Sequence, residues 1–139
     1  MTVSRILVFD PGESTGWCYY VPGKKLRGGT LPKNHQKVWS LIRELNPDVI
    51  VFERFNLYPG RAKSLAWNTF YPCEVIGVIR LWTQLSLCEC FEQAPSVKKY
   101  AGDFGQDFSD MDREGKLTEH VKDAYQHLKY FLRNNPEYR

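Results

Sequence analysis

Two short apolar runs stand out because neither alternates. Ile6-Leu7-Val8-Phe9 ends at Asp10, and Val49-Ile50-Val51-Phe52 ends at Glu53. A strand with one face in water alternates apolar and polar residues, whereas one covered on both faces reads as a continuous apolar run. These runs therefore predict two buried strands. Between them, residues 16–21 and about 25–30 read as two further strands, separated by the turn residues Pro22-Gly23. With the first strand, at 4–9, they make an antiparallel meander. Val38, Leu41, Ile42 and Leu45 fall at i, i+3, i+4 and i+7, which predicts an amphipathic helix over about 34–46. The run at 49–52 follows that helix, so it is expected to pair parallel to the first strand by a crossover.

Further along, residues 62–86 have a helical pattern that Pro72 interrupts. Either the helix kinks there or the main helix begins there, since proline is tolerated in a first turn. Residues 87–92 predict a fifth strand. The polar stretch over about 102–116 carries three glycines and four aspartates and reads as a mobile loop. Leu117, Val121, Ala124, Tyr125, Leu128 and Phe131 form the core stripe of a last helix, about 117–133. The order β-β-β-α-β-α-β-α gives an α/β fold, a five-stranded mixed sheet flanked by helices. That is the order of the ribonuclease H-like fold.

The 139 residues suit a single domain spanning 1–139. At 42% hydrophobic and 14% aromatic, the chain is expected to be globular. No stretch approaches the roughly 18 apolar residues that span a bilayer. The N-terminus has no signal-peptide layout, so a cytoplasmic location is expected. The net charge of +3 permits nucleic-acid binding without requiring it. Cys18, Cys73, Cys88 and Cys90 lack the paired spacing of a zinc site and read as ordinary thiols.

Chemistry enters through the strand ends. An ionised carboxylate at the end of a buried strand loses hydration unless it is paired or binds a cation. In the predicted sheet Asp10 and Glu53 are neighbours. On the last helix His120 and Asp123 stand three apart and share a face. Taken singly, each has a plainer reading. Asp10 suits a turn before Pro11-Gly12, Glu53 an ion pair with Arg54, and His120 with Asp123 a solvated helix edge. Together, three segments offer ligands for two hard cations about 3.5–4 Å apart, as in two-metal phosphodiester hydrolysis. One ion would activate a water and the other would stabilise the leaving 3′-oxygen. Two other motifs fail. Asp110-x-Asp112-x-Glu114-Gly115 opens like a calcium loop but has Val121 where the twelfth-position Glu is needed. Asp10-x-Gly12-x-Ser14-Thr15 is similar to the phosphate loop of actin-like sugar kinases, whose two such domains exceed this length.

Four segments, in order, resemble the RuvC family of Holliday-junction resolvases. They are Ile6 to Gly12 with Ser14-Thr15-Gly16-Trp17, Asp48 to Glu53, Ala94 to Gly102, and His120-Val121-Lys122-Asp123-Ala124. The compact length is more like a virus-encoded member, which would work in the host cytoplasm. The resemblance implies that Asp10, Glu53, His120 and Asp123 are the catalytic, metal-binding groups, with two Mg²⁺ or Mn²⁺ ions. It implies that Lys98 and Lys99 approach the scissile region or nearby phosphates. An aromatic just after the second acid would wedge into the junction, with Phe55 and Tyr58 as candidates. Arg54, Arg61 and Lys63 complete the basic residues expected to meet DNA.

The chain departs from the family around the last acid, where Val121-Lys122 and Tyr125-Gln126-His127 replace small residues. The expected function is a metal-dependent, structure-selective endonuclease that nicks four-way or other branched DNA. The alternatives are a related nuclease acting on RNA or simpler branches, and a module that binds nucleic acid without cutting it. Two symmetric cuts call for a homodimer, with Ala66, Phe70, Ile76 and Ile79 either at its interface or in the core.

Overall fold

The computed structural model describes residues 3–55, 70–101, 111–114 and 118–139. Six strands form one mixed sheet in the order β5-β4-β1-β2-β3-β6. They are β1 (Ile6–Asp10), β2 (Thr15–Tyr20), β3 (Arg27–Leu31), β4 (Val49–Glu53), β5 (Glu89–Gln93) and β6 (Asp112–Glu114). The described helices are α1 (His35–Leu45), α2 (Tyr71–Leu85) and α3 (Glu119–Asn134), and Pro95–Tyr100 form a 3₁₀ helix.

The meander is as expected, with β1 antiparallel to β2 and β2 to β3. β4 runs parallel to β1, Phe52 opposite Phe9, and β5 runs parallel to β4. Arg5 anchors the start of β1 to that of β4. Its backbone N–H and its guanidinium both donate to the Asp48 carboxylate, at 2.8, 3.1 and 3.0 Å.

Both faces of the central strands are covered, which explains their unbroken apolar runs. On one face Ile6, Val8, Val49 and Val51 pack with Val121, Ala124, Leu128 and Phe131 of α3. On the other, Leu7, Phe9, Ile50 and Phe52 pack with Val38, Leu41, Ile42 and Leu45 of α1 and Val75 and Ile79 of α2. The helices begin where local chemistry starts them. The Asn34 side chain accepts from Lys37 N–H and caps α1. The Thr118 hydroxyl accepts from Val121 N–H and caps α3. α1 stops at Asn46, whose left-handed φ of 44° lets its N–H donate to the Ile42 carbonyl.

One expectation needs correction, and the structure bears on two alternatives that the sequence leaves open. The sheet has six strands, not five, because part of the acidic stretch is ordered as β6. Met111 is buried against the core, and β6 pairs parallel with β3. Asp112 meets Lys25 at 3.1 Å and Glu114 meets Arg27 at 3.0 Å, so these acids are engaged in cross-strand pairs. Residues 102–110 and 115–117 lie outside the described residues. The described helix α2 begins at Tyr71 with Pro72 in its first turn, where the missing N–H costs nothing. Residues 62–69 of the predicted helix lie outside the described residues. Of the residues weighed for interface or core, Ile79 belongs to the core and Ile76 packs partly against it. Phe70 stacks on Phe55 with ring centroids 5.3 Å apart, and Ala66 lies outside the described residues.

Candidate active site

Asp10 and Glu53 emerge side by side at the same end of the sheet, as the parallel register of β1 and β4 requires. α3 crosses this end, and only glycine permits the approach. A Cβ at Gly16 would collide with the backbone of His120 and Val121, so β2 and the first turn of α3 touch main chain to main chain. This contact lowers His120 and Asp123 onto the strand ends.

Three carboxylates converge there. One oxygen each from Asp10, Glu53 and Asp123 lie within 4.8 Å of one another. They line a cleft of about 250 Å³ shared with Pro11, Arg54, Phe55, Pro95, Lys98 and His120. His120 bears on the cluster through Asp10, its Nδ1 2.7 Å from Asp10 Oδ2. Lys98, on the 3₁₀ helix, reaches Glu53 Oε1 at 3.3 Å and Asp123 Oδ2 at 3.0 Å.

The electrostatics are uneven. Asp10 is only 3% exposed. Burial, aided by a hydrogen bond to and the charge of Glu53, raises its pKa from 3.8 to about 7, against the opposing pull of His120. For Glu53 burial also acts upward. The neighbouring His127, Asp10 and Lys98 outweigh it and bring its pKa to about 2. Asp10 thus takes up a proton far more readily than Glu53. The hydrogen bond to Asp10 raises the pKa of His120, and the two carboxylates hold that of Lys98 up despite its partial burial.

The site residues expected from sequence divide into three groups. Asp10, Glu53, His120, Asp123 and Lys98 come together, and Arg54 and Phe55 line the rim of the same cleft. Lys99 is exposed and sits over the Tyr100 ring at 5.1 Å, outside the cleft lining. Tyr58, Arg61 and Lys63 lie outside the described residues. Two neighbours were not anticipated. His127, 0% exposed, places Nε2 3.4 Å from Glu53 Oε2. Gln93, opposite Glu53 in the β4–β5 register, holds His127 Nδ1 at 2.6 Å. The signal was present, since His127 lies four residues after Asp123 and seven after His120, one face of one helix.

The chemistry of this donor set suits a hard divalent cation. Three carboxylates are within reach of one point, and oxygen donors are what Mg²⁺ and Mn²⁺ prefer. Without a cation, such a group needs a proton or a basic side chain, and Lys98 meets Glu53 and Asp123.

No family model matches the chain, and no curated protein matches it in sequence. Solved structures do. RuvC of T. thermophilus in complex with Holliday junction substrate superposes with a TM-score of 0.67 at 15% identity, over 97% of each chain. A second structure of Thermus thermophilus RuvC gives 0.62 at 15% identity, over 95% of this chain and 96% of that one. The yeast mitochondrial Holliday junction resolvase Ydc2 gives 0.57 at 12% identity, over 98% of this chain and 80% of that one. The chain is thus similar in fold, across nearly its whole length, to RuvC and to a mitochondrial resolvase.

Proposed function

We propose that this protein is a divalent-metal-dependent endonuclease that nicks branched DNA, with the four-way junction as its preferred substrate. The observation that carries the reading is the convergence of Asp10, Glu53 and Asp123 within 4.8 Å at the strand ends. The similarity of fold to junction resolvases supports the choice of substrate.

Asp10, Glu53 and Asp123 would hold the cations, with His120 as the fourth member of the set. Two bound Mg²⁺ or Mn²⁺ ions supply Lewis-acid stabilisation of phosphoryl charge and lower the pKa of a water. The chain's own residues prepare that chemistry. Asp10 would bind a cation as the carboxylate, since a neighbouring cation would offset the burial that raises its pKa. His120 orients Asp10 through Nδ1. Lys98 offsets the charge of Glu53 and Asp123, and its ammonium would be free to meet a phosphate if those carboxylates held metal. DNA approaching a carboxylate-lined cleft is repelled unless positive charge offsets it, and Arg54 with Lys98 supplies some at the rim. Phe55 offers a ring on which an unpaired base can stack. Two symmetric nicks call for two copies related by a twofold axis.

A substrate panel tests this. Labelled four-way junction, linear duplex and RNA–DNA hybrid are incubated with and without Mg²⁺ or Mn²⁺. Paired symmetric nicks on the junction are expected, dependent on metal. Cleavage of the hybrid instead would assign the site to RNA, and binding without cuts would make the protein a binding module.

A further inference from the structure

His127 has no place in an apolar stripe on packing grounds alone. It is fully buried on α3, between Ala124 and Leu128, which are themselves in the core. A polar ring there costs free energy unless it is hydrogen-bonded, and a leucine or phenylalanine would fill the space without that cost. The ring is held on one side, Nδ1 2.6 Å from Oε1 of the Gln93 amide, and Gln93 is itself only 8% exposed. The other nitrogen, Nε2, makes no hydrogen bond among the described residues and points at Glu53 Oε2, 3.4 Å away. The two oxygens of Glu53 therefore have different neighbours. Oε2 faces the inner ring of His127, and Oε1 faces the Lys98 ammonium at 3.3 Å.

A glutamate has three rotatable bonds, and a ligand free to swing loses affinity to the ordering it must undergo. We propose that His127, clamped by Gln93, is a positioning residue that holds the inner oxygen of Glu53 and so aims the outer oxygen at Asp10 and Asp123. Gln93, His127 and Glu53 then form a supporting chain behind the cluster, running from β5 through α3 to β4. This inference rests on the metal-holding role proposed for the carboxylates.

The test measures Mn²⁺ affinity directly, from the electron paramagnetic resonance signal of free Mn²⁺ titrated with the metal-depleted full chain. Wild type, Asp10→Asn, His127→Phe, His127→Gln and Gln93→Leu are compared, each with its melting temperature in EDTA. The expected result is Mn²⁺ binding about 10–100-fold weaker in His127→Phe, at an unchanged or higher melting temperature. His127→Gln, whose amide nitrogen reaches towards the Nε2 position, should recover part of the affinity. A merely structural role would lower the melting temperature and leave the affinity of the folded protein alone. Wild-type affinity in folded His127→Phe overturns the inference while leaving the metal site standing. If His127→Phe does not fold, weaker binding in both His127→Gln and Gln93→Leu supports the inference, and wild-type binding in both overturns it. If wild type binds Mn²⁺ no better than Asp10→Asn, the metal reading fails and the inference with it.

Discussion

Replacing Asp10 by Asn should stabilise the metal-free protein, by an amount that grows with pH. Asp10 is 3% exposed, and its pKa rises from 3.8 to about 7 on folding, chiefly through burial. The folded chain therefore holds this proton more tightly than the unfolded chain. Between the two pKa values the native state carries more protons, so stability falls as pH rises through that window and levels off above pH 7. At about 1.4 kcal/mol per unit, the full penalty at high pH is roughly 4 kcal/mol, and at pH 5 it is nearer 1.5 kcal/mol. Asn is nearly isosteric and does not titrate. Loss of the bond to His120 subtracts about 1 kcal/mol from the gain. The growth of the gain between pH 5 and pH 8 is the cleaner quantity, about 2–3 kcal/mol. Glu53, with its pKa near 2, stays ionised throughout that range, and the raised pKa of His120, lost with Asp10, adds to the growth in the same sense. Urea unfolding in EDTA at pH 5, 6, 7 and 8 measures the difference. A gain that stays flat with pH, or an Asn variant less stable than wild type at pH 8, would refute the buried-charge reasoning.

Other perturbations have distinct signatures. Gly16→Ala places a methyl group against the backbone of His120 and Val121. It should cost about 1–3 kcal/mol or more in urea unfolding. Gly77→Ala, in α2 with open space around its Cβ, should instead stabilise by about 0.5–1 kcal/mol in the same assay. Lys98→Met leaves Glu53 and Asp123 facing each other without their shared ammonium. In EDTA it should lose about 1–3 kcal/mol, yet gain more than wild type in melting temperature when Mn²⁺ is added. An unchanged response to Mn²⁺ would show that Lys98 and the cation do not compete for the same carboxylates.

Much of this arrangement is legible in the sequence because it rests on local patterns. The unbroken apolar runs ending in Asp10 and Glu53 need a sheet covered on both faces, and the structure provides α3 on one side and α1 with α2 on the other. The i, i+3 pair of His120 and Asp123 needs only a helix, which Thr118 caps at the expected end. What the sequence hides is long-range. β6 is three residues of charged sequence, a strand only because Arg27 to Gly29 lie beside it and Lys25 and Arg27 meet its acids. His127 looks like a departure from a pattern of small residues until the fold sets it against Glu53 and Gln93. Pro72 is ambiguous in sequence because a proline serves equally as a kink or a first-turn residue, and the packing of Tyr71 and Val75 into the core fixes the latter.

The central claim is that Asp10, Glu53 and Asp123 act together on a phosphodiester of branched DNA. Single-turnover nicking of a labelled four-way junction with Mn²⁺, by wild type and by Glu53→Gln and Asp123→Asn, tests it most directly, with junction binding measured in parallel. The account predicts that each substitution abolishes nicking and leaves binding nearly intact. Nicking that survives in either variant would contradict it.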